Sequence, residues 1–185
     1  MTPHRVILVG GGARCGKSDL ALALARRLGT RRLFLATAQA GDEEMRERID
    51  RHRHTRGDDF RTLEEPLAVP ELLRQAAGYD VVLLDCLTLW LANLLLDGRQ
   101  PEAVLQRVDD LAGALCHQSA HAVIVTNEIG LGLVPETPLG RTFRDVAGLA
   151  HQRLARVADE VYFGALGVML RLKPGPVVPA GEVVP

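Results

Sequence analysis

The chain has 185 residues, 47% apolar and 24% charged, with a formal net charge of −1. That suffices for one soluble domain with a real core and is short for two. The near-neutral charge and the 4% aromatic content argue against a nucleic-acid track with base-stacking platforms.

Arg5–Val9, "RVILV", reads as a short strand that feeds a run of glycines. Its four-residue apolar run is too short for the apolar core of a signal peptide. Ser18–Leu28 reads as a helix with arginines in its last turn, as the helix dipole favours. Arg32–Thr37 is a second buried strand, and Asp42 to about Thr55 is an arginine-crowded helix opened by acids. Phe60–Glu65 has the pattern of a short strand, and "VPELLRQAAG" that of a helix closed by Gly78. Val81–Asp85 is a third buried strand, followed by an apolar helix "LTLWLANLLL" that ends near Gly98. Asp85 and Asn93 interrupt this long apolar stretch, which therefore reads as strand plus helix and not as a membrane span.

Glu102 to about Ser119 is an amphipathic helix, and Ala122–Thr126 a fourth strand. "GRTFRDVAGLAHQRLARVAD" is a long helix, and "EVYFGALGVMLRL" two strands joined by a tight turn. Strands that alternate with helices predict an α/β domain over 1–173, a mainly parallel sheet with helices on both faces. The last strand pair is expected to be antiparallel, and the Pro/Gly-rich tail 174–185 extended or disordered. Cys15, Cys86 and Cys116 are odd in number and widely spaced, which argues against a zinc site or disulfide framework and fits a reducing cytoplasm.

Gly11–Ser18, "GGARCGKS", fits the phosphate-binding loop G-x-x-x-x-G-K-[ST], with a strand before it and a helix after it. Gly11, Gly12 and Gly16 permit the tight turns that bring backbone amides to phosphate oxygens, and Ala13, Arg14 and Cys15 complete the cradle. Lys17 is placed to reach the β and γ phosphates, and Ser18 to bind Mg²⁺. Cys15 is either a thiol activated at a helix N-terminus or simply a small loop residue. Asp85, at the end of an apolar strand, is the expected second magnesium ligand.

In "MRERIDRHRHTR" (45–56), Arg48, His52 and Arg56 lie four residues apart on one helix face. An imidazole between two guanidiniums resists protonation, and the neutral form is the nucleophile. His54 has Asp50 one turn before it, which favours its protonated form, so spacing prefers His52. A solvated basic helix face is the competing reading. "TNEIGLGLVPETPLGRTFRD" places Asn127 and Glu128 at a strand's carboxyl edge, where open α/β sheets bind ligands. An ordered loop before an amphipathic helix accounts for that stretch equally well.

Together these segments resemble the bifunctional adenosylcobinamide kinase / adenosylcobinamide-phosphate guanylyltransferase family, from about Val6 to Leu172 and in the same order. The loop is shared by many families; "DEEM…RERI-xx-H-xxx-R" and "TNE-G-G-VP…R-FRD-AG" are far more specific. The resemblance implies a RecA-like phosphate-loop fold and homotrimers. It implies phosphorylation of adenosylcobinamide by ATP or GTP. GMP is then transferred from GTP to adenosylcobinamide phosphate through a guanylylated histidine, matched here by His52. It also implies nucleotide contacts at Thr37, Ala38, Gln39, Arg48, Arg53, Arg56, Glu64 and Asp85. Cys15 stands where the family usually has Ser, and Phe60 where an aromatic, often Trp, is common. A simple phosphate-loop kinase and a nucleotide-driven switch or motor are the alternatives.

Overall fold

The computed structural model describes residues 4–39, 43, 46, 47 and 57–179. The elements, in chain order, are β1 (Val6–Gly11), α1 (Lys17–Leu28), β2 (Arg32–Ala36), β3 (Arg61–Glu64) and α2 (Val69–Gln75). Then come β4 (Val81–Asp85), α3 (Leu87–Leu96), α4 (Pro101–His117), β5 (His121–Val125), α5 (Pro138–Val157), β6 (Glu160–Ala165), β7 (Val168–Lys173) and β8 (Val178–Pro179). A 3₁₀ turn, Gly57–Asp59, precedes β3. The helix expected over Asp42 to about Thr55 lies largely outside the described residues; Glu43, Arg46 and Glu47 are helical, and Arg46 pairs with Glu43.

The strands form one sheet in the order β3-β2-β4-β5-β1-β6-β7-β8. β1 through β6 pair in parallel, and β7 and β8 are added antiparallel. The tight turn expected between β6 and β7 is built on Leu166 (φ 53°) and Gly167 (φ 81°). Val178 and Pro179 add a short eighth strand within the stretch read from sequence as tail. The helix expected to close at Gly78 stops at Gln75, where Ala76 N–H already bonds back to Leu73 O.

Each central strand buries both faces, as a parallel sheet requires. Val6, Leu8, Val82, Leu84, Ala122 and Ile124 belong to one core, with Trp90, Leu94, Leu111, Leu115, Ala150 and Leu154 of α3, α4 and α5. Ile7, Val9, Leu83, Val123 and Val125 face the other, against Ala21, Leu22 and Ala25 of α1, with Phe34, Phe60 and Tyr162. The expected two-faced cover is therefore present but unequal: α1 packs the second face, with Leu89 of α3 at its margin. Trp90 is fully buried, and its indole N–H donates to Leu67 O at 2.9 Å, so the largest side chain of the core leaves no unpaired donor. Lys173 closes the carboxyl end of α5 by donating to Ala155 O and Ala158 O.

Asp80 ties the α1–β2 connection to the start of β4. Its carboxylate accepts from Thr30 N, Arg31 N and the Arg31 guanidinium. These donors hold its carboxyl well below the usual range, the Arg31 side chain first. Gly29 is required by space and not by its extended φ of 175°, because a Cβ there would lie 2.2 Å from Asp80 Cβ. Gly29→Ala is therefore expected to destabilise the fold by about 1–3 kcal/mol, the usual range for overpacking. Urea unfolding measures it.

Candidate active site

Strand register brings the candidate residues to one edge of the sheet. Glu64 pairs with Ala36, Ala36 with Asp85, Asp85 with Val125, and Val125 with Val9. The loop after β1 therefore leaves the sheet level with the ends of β2, β3, β4 and β5. β1 lies between β5 and β6, yet its own chain continues through α1 to β2 on the far side of β4. Such a reversal of strand order opens a crevice at the carboxyl ends.

The loop backbone is set by its origin. Gly11 has φ 147° and sits opposite Gly164 of β6; a Cβ on it would fall 2.7 Å from Gly164 O and 2.7 Å from Cys15 Sγ. Arg14 (φ 55°) and Gly16 (φ 90°) make the left-handed turns that follow. Gly16 opens α1, and no side chain caps that helix, which leaves its first-turn amides open to an anion. Lys17 is buried, with Nζ donating to Gly12 O at 2.9 Å, so its ammonium lies folded over the cradle. Ala13, Arg14 and Gly16 are exposed, and Gly12 and Ser18 are half-buried. Cys15 is buried between Gly11 and Gly164, which makes it a small filler of the loop and not an open nucleophile.

At the end of β4, Asp85 is half-buried and joined to Cys86 by a cis peptide bond. Burial raises the Cys86 pKa, as does the nearby Asp85 carboxylate; the Thr88 hydroxyl and Lys17 act the other way. The same thiol thus feels both the loop lysine and Asp85. Thr37 is fully buried; its hydroxyl donates to Cys86 O at 2.8 Å and accepts from Cys86 N at 2.9 Å. Its side chain fixes the ends of β2 and β4, while Ala38 is half-buried and Gln39 exposed beside it. Glu64 is exposed at the end of β3. Arg48, His52, Arg53, His54 and Arg56 lie outside the described residues.

Sequence reasoning missed a polar network that holds these strand ends. Asn93 of α3 donates to Thr37 O and Pro66 O, and Asn127 donates to Thr88 Oγ1. Beyond β5, Glu128 N–H donates to Gly11 O at 2.9 Å, and its Oε1 accepts from Gly130 N. His151 of α5 lies between Thr126 Oγ1, 2.7 Å from Nε2, and Glu128 Oε2, 3.6 Å from Nδ1. The signal for His151 was present: it falls on the stripe Ala147, Ala150, Leu154 that packs α5 on the sheet. No group of three or more His, Cys, Asp or Glu residues is arranged to hold a metal by itself among the described residues, and no described helix is long and apolar enough to cross a membrane.

A phosphate loop at the central strand of a parallel sheet, with an acid closing the next strand but one, defines a nucleotide-using transferase or NTPase class. The cobinamide kinase / cobinamide phosphate guanyltransferase family model matches residues 7–172, and the chain belongs to this family. The bifunctional adenosylcobalamin biosynthesis protein CobP of Pseudomonas aeruginosa is 45% identical, covering 91% of this chain and 98% of that one. The proteins of the same description, CobU, of Salmonella typhimurium and Escherichia coli are 41% and 39% identical, with 91% of this chain and 99% of each relative covered. Among solved structures, the RadB recombinase matches with a TM-score of 0.54 at 14% identity, over 96% of this chain and 81% of that chain. A type III secretion ATPase matches at 0.56 and 12%, over 89% of this chain and 52% of that chain. These two likenesses show the fold alone, and it is RecA-like.

Burial lowers the His151 pKa, against the pull of Glu128. The unfolded chain therefore binds the proton more readily, so stability should rise with pH up to the ordinary histidine value of about 6.5 and level off above it. His121, also lowered, adds to the same slope. Melting temperatures from pH 5 to 7.5 should climb in the wild type and climb less steeply in His151→Gln.

Proposed function

We propose that this chain carries out both family reactions on one nucleotide cradle. The first phosphorylates the aminopropanol hydroxyl of adenosylcobinamide with ATP or GTP. The second moves GMP from GTP onto that phosphate, giving adenosyl-GDP-cobinamide and pyrophosphate. The observation that carries the reading is the shared level of the loop, Asp85 and Glu64 at the carboxyl edge of the sheet. A kinase alone needs the cradle and an acid; the second reaction also needs a nucleophile for the α-phosphorus, and His52 is the residue we assign to it.

Lys17 and the open amides of α1 hold the β and γ phosphates in both steps. They lower the cost of negative charge on ADP or GDP in the first step and on pyrophosphate in the second. A half-buried hydroxyl at the head of α1 and a half-buried carboxylate at the end of β4 are hard oxygen donors of the kind Mg²⁺ takes, and α1 packs against β4. Ser18 and Asp85 would hold that ion, which supplies charge neutralisation at the phosphates when bound. His52 attacks the α-phosphorus with its free nitrogen lone pair, pyrophosphate departs, and adenosylcobinamide phosphate then displaces GMP from the histidine. Arg48, Arg53 and Arg56 are the proposed cations for the α-phosphate, with Ala38, Gln39 and Glu64 as further nucleotide contacts, whereas Thr37, fully buried with its hydroxyl on the Cys86 peptide, holds the strand ends and makes no contact of its own. The stretch that performs this is 1–173; 174–185 lies outside the chemistry, with Val178 and Pro179 adding only an edge strand to the sheet.

The homotrimer expected from the resemblance has a candidate contact. Leu131, Leu133 and Val134 stand exposed by 82%, 95% and 64% on the loop that follows Glu128, and Leu139 by 52% in the first turn of α5. We assign their cover to a second copy, close to the site. Three free cysteines fit a reducing cytoplasm. Leu133→Asp should yield smaller particles than the wild type in sedimentation; unchanged mass would remove this loop from the contact.

With Mg²⁺ and α-labelled GTP, the denatured wild type should retain acid-labile, alkali-stable label, the behaviour of a phosphoramidate. His52→Ala should lose the label and keep kinase activity, whereas Lys17→Ala should impair both. Absence of label in the wild type leaves a simple kinase. Label that persists in His52→Ala moves the nucleophile to another residue, with His54 next to be tested.

A further inference from the structure

Resting on the two-step reading above, we infer that Glu128 accepts the proton of the substrate hydroxyl in the kinase step, and that His151 is the positioning residue that aims it.

Glu128 is tied to the cradle by its own backbone, since its N–H donates to the carbonyl of Gly11, where the phosphate loop begins. One carboxylate oxygen is hydrogen-bonded and the other lies near an imidazole. Oε1 accepts from Gly130 N at 2.5 Å, and Oε2 faces His151 Nδ1 at 3.6 Å. Gly130 is needed for this arrangement, because a Cβ there would meet Oε1 at 2.8 Å. The His151 imidazole is partly buried and bonded through Nε2 to Thr126 Oγ1 at 2.7 Å. A bare Nδ1 lone pair would repel the carboxylate. The neutral ring therefore carries its proton on Nδ1 and accepts the Thr126 hydroxyl proton at Nε2. Thr126 itself is buried at the end of β5, so the chain Thr126–His151–Glu128 runs from the sheet to the rim of the loop. The Glu128 side chain remains 26% exposed, enough to be reached from the crevice.

The two reactions differ in what they ask of such a group. An alcohol must lose a proton as it attacks the γ-phosphorus. The alcohol oxygen–phosphorus bond forms, the bond from the γ-phosphorus to the β,γ-bridging oxygen breaks, the nucleoside diphosphate leaves, and the hydroxyl proton moves to a free lone pair of the Glu128 carboxylate and on to solvent. In guanylyl transfer the attacking groups are a neutral imidazole lone pair and a phosphate oxyanion. Neither requires a base, and a carboxylate gives an anionic attacker no help. Glu128 should therefore matter to one reaction only.

The test measures both half-reactions on the same preparations, with adenosylcobinamide and ATP for the first and α-labelled GTP for the second. Glu128→Gln keeps the shape and the bond from Gly130. It is expected to lower kcat for phosphorylation about 100-fold, within the range for general bases, with KM for ATP and histidine labelling unchanged. His151→Asn, which can present an N–H near Nδ1, should keep most of the kinase rate, and His151→Phe should lower kcat and not KM. Equal phosphorylation by Glu128→Gln and wild type overturns the assignment alone. Parallel loss of labelling in Glu128→Gln also overturns it, because the residue then supports the loop and not the proton transfer. A wild type that labels but does not phosphorylate overturns the two-step reading and the assignment with it.

Discussion

Gly11 is the point at which the sheet becomes a site. It is the last residue of β1 and faces Gly164 across a ladder with no room for a side chain on either residue: an added Cβ would lie 2.7 Å from Gly164 O at Gly11, and 2.6 Å from both Cys15 Sγ and Met169 Sδ at Gly164. Its carbonyl accepts from Glu128 N, which binds the loop after β5 to the loop after β1. One residue on, the Gly12 carbonyl receives the ammonium of Lys17. The phosphate cradle is thus held by backbone on two neighbouring strands, with the Lys17 ammonium and the Cys15 side chain packed into the space that close approach leaves.

The rest of the crevice is built in the same manner, by short polar side chains that satisfy backbone groups where strands end. Thr37 bridges both sides of the Cys86 peptide, Asn93 closes the carbonyls of Thr37 and Pro66, and Thr88 receives Asn127. Buried polar groups of this kind cost free energy when unpaired and give a unique geometry when paired. Here they tie the ends of β2, β4 and β5 together at the floor of the crevice. A rigid floor of this sort suits phosphoryl and nucleotidyl transfer, in which positioning and charge stabilisation do most of the work.

Much of this was legible in the chain. Strand–helix alternation predicted the sheet, and the loop motif located the strand that feeds the phosphate loop, because apolar β-branched runs and glycines act through local geometry. Boundaries were legible to within a few residues: α5 begins at Pro138, and β1 runs on to Gly11. Val178–Pro179 was not legible as a strand, because its only reason to be one is the open edge of β7. Thr37 read as a nucleotide neighbour, yet its hydroxyl is used by Cys86, forty-nine positions away in sequence. His151 was not singled out in the sequence, because its partners, Thr126 and Glu128, lie on another element.

The sequence alone determined the fold class, the phosphate cradle and the family, because each is written in short-range spacing that a contiguous stretch carries by itself. It also named His52 as the nucleophile to test, from the two arginines that flank it at helical spacing. Tertiary structure decided which strand ends share a level, which polar residues serve the scaffold and which carboxylate stands beside His151. Those choices depend on strand order and register, and register is set by packing between segments that are distant in the chain.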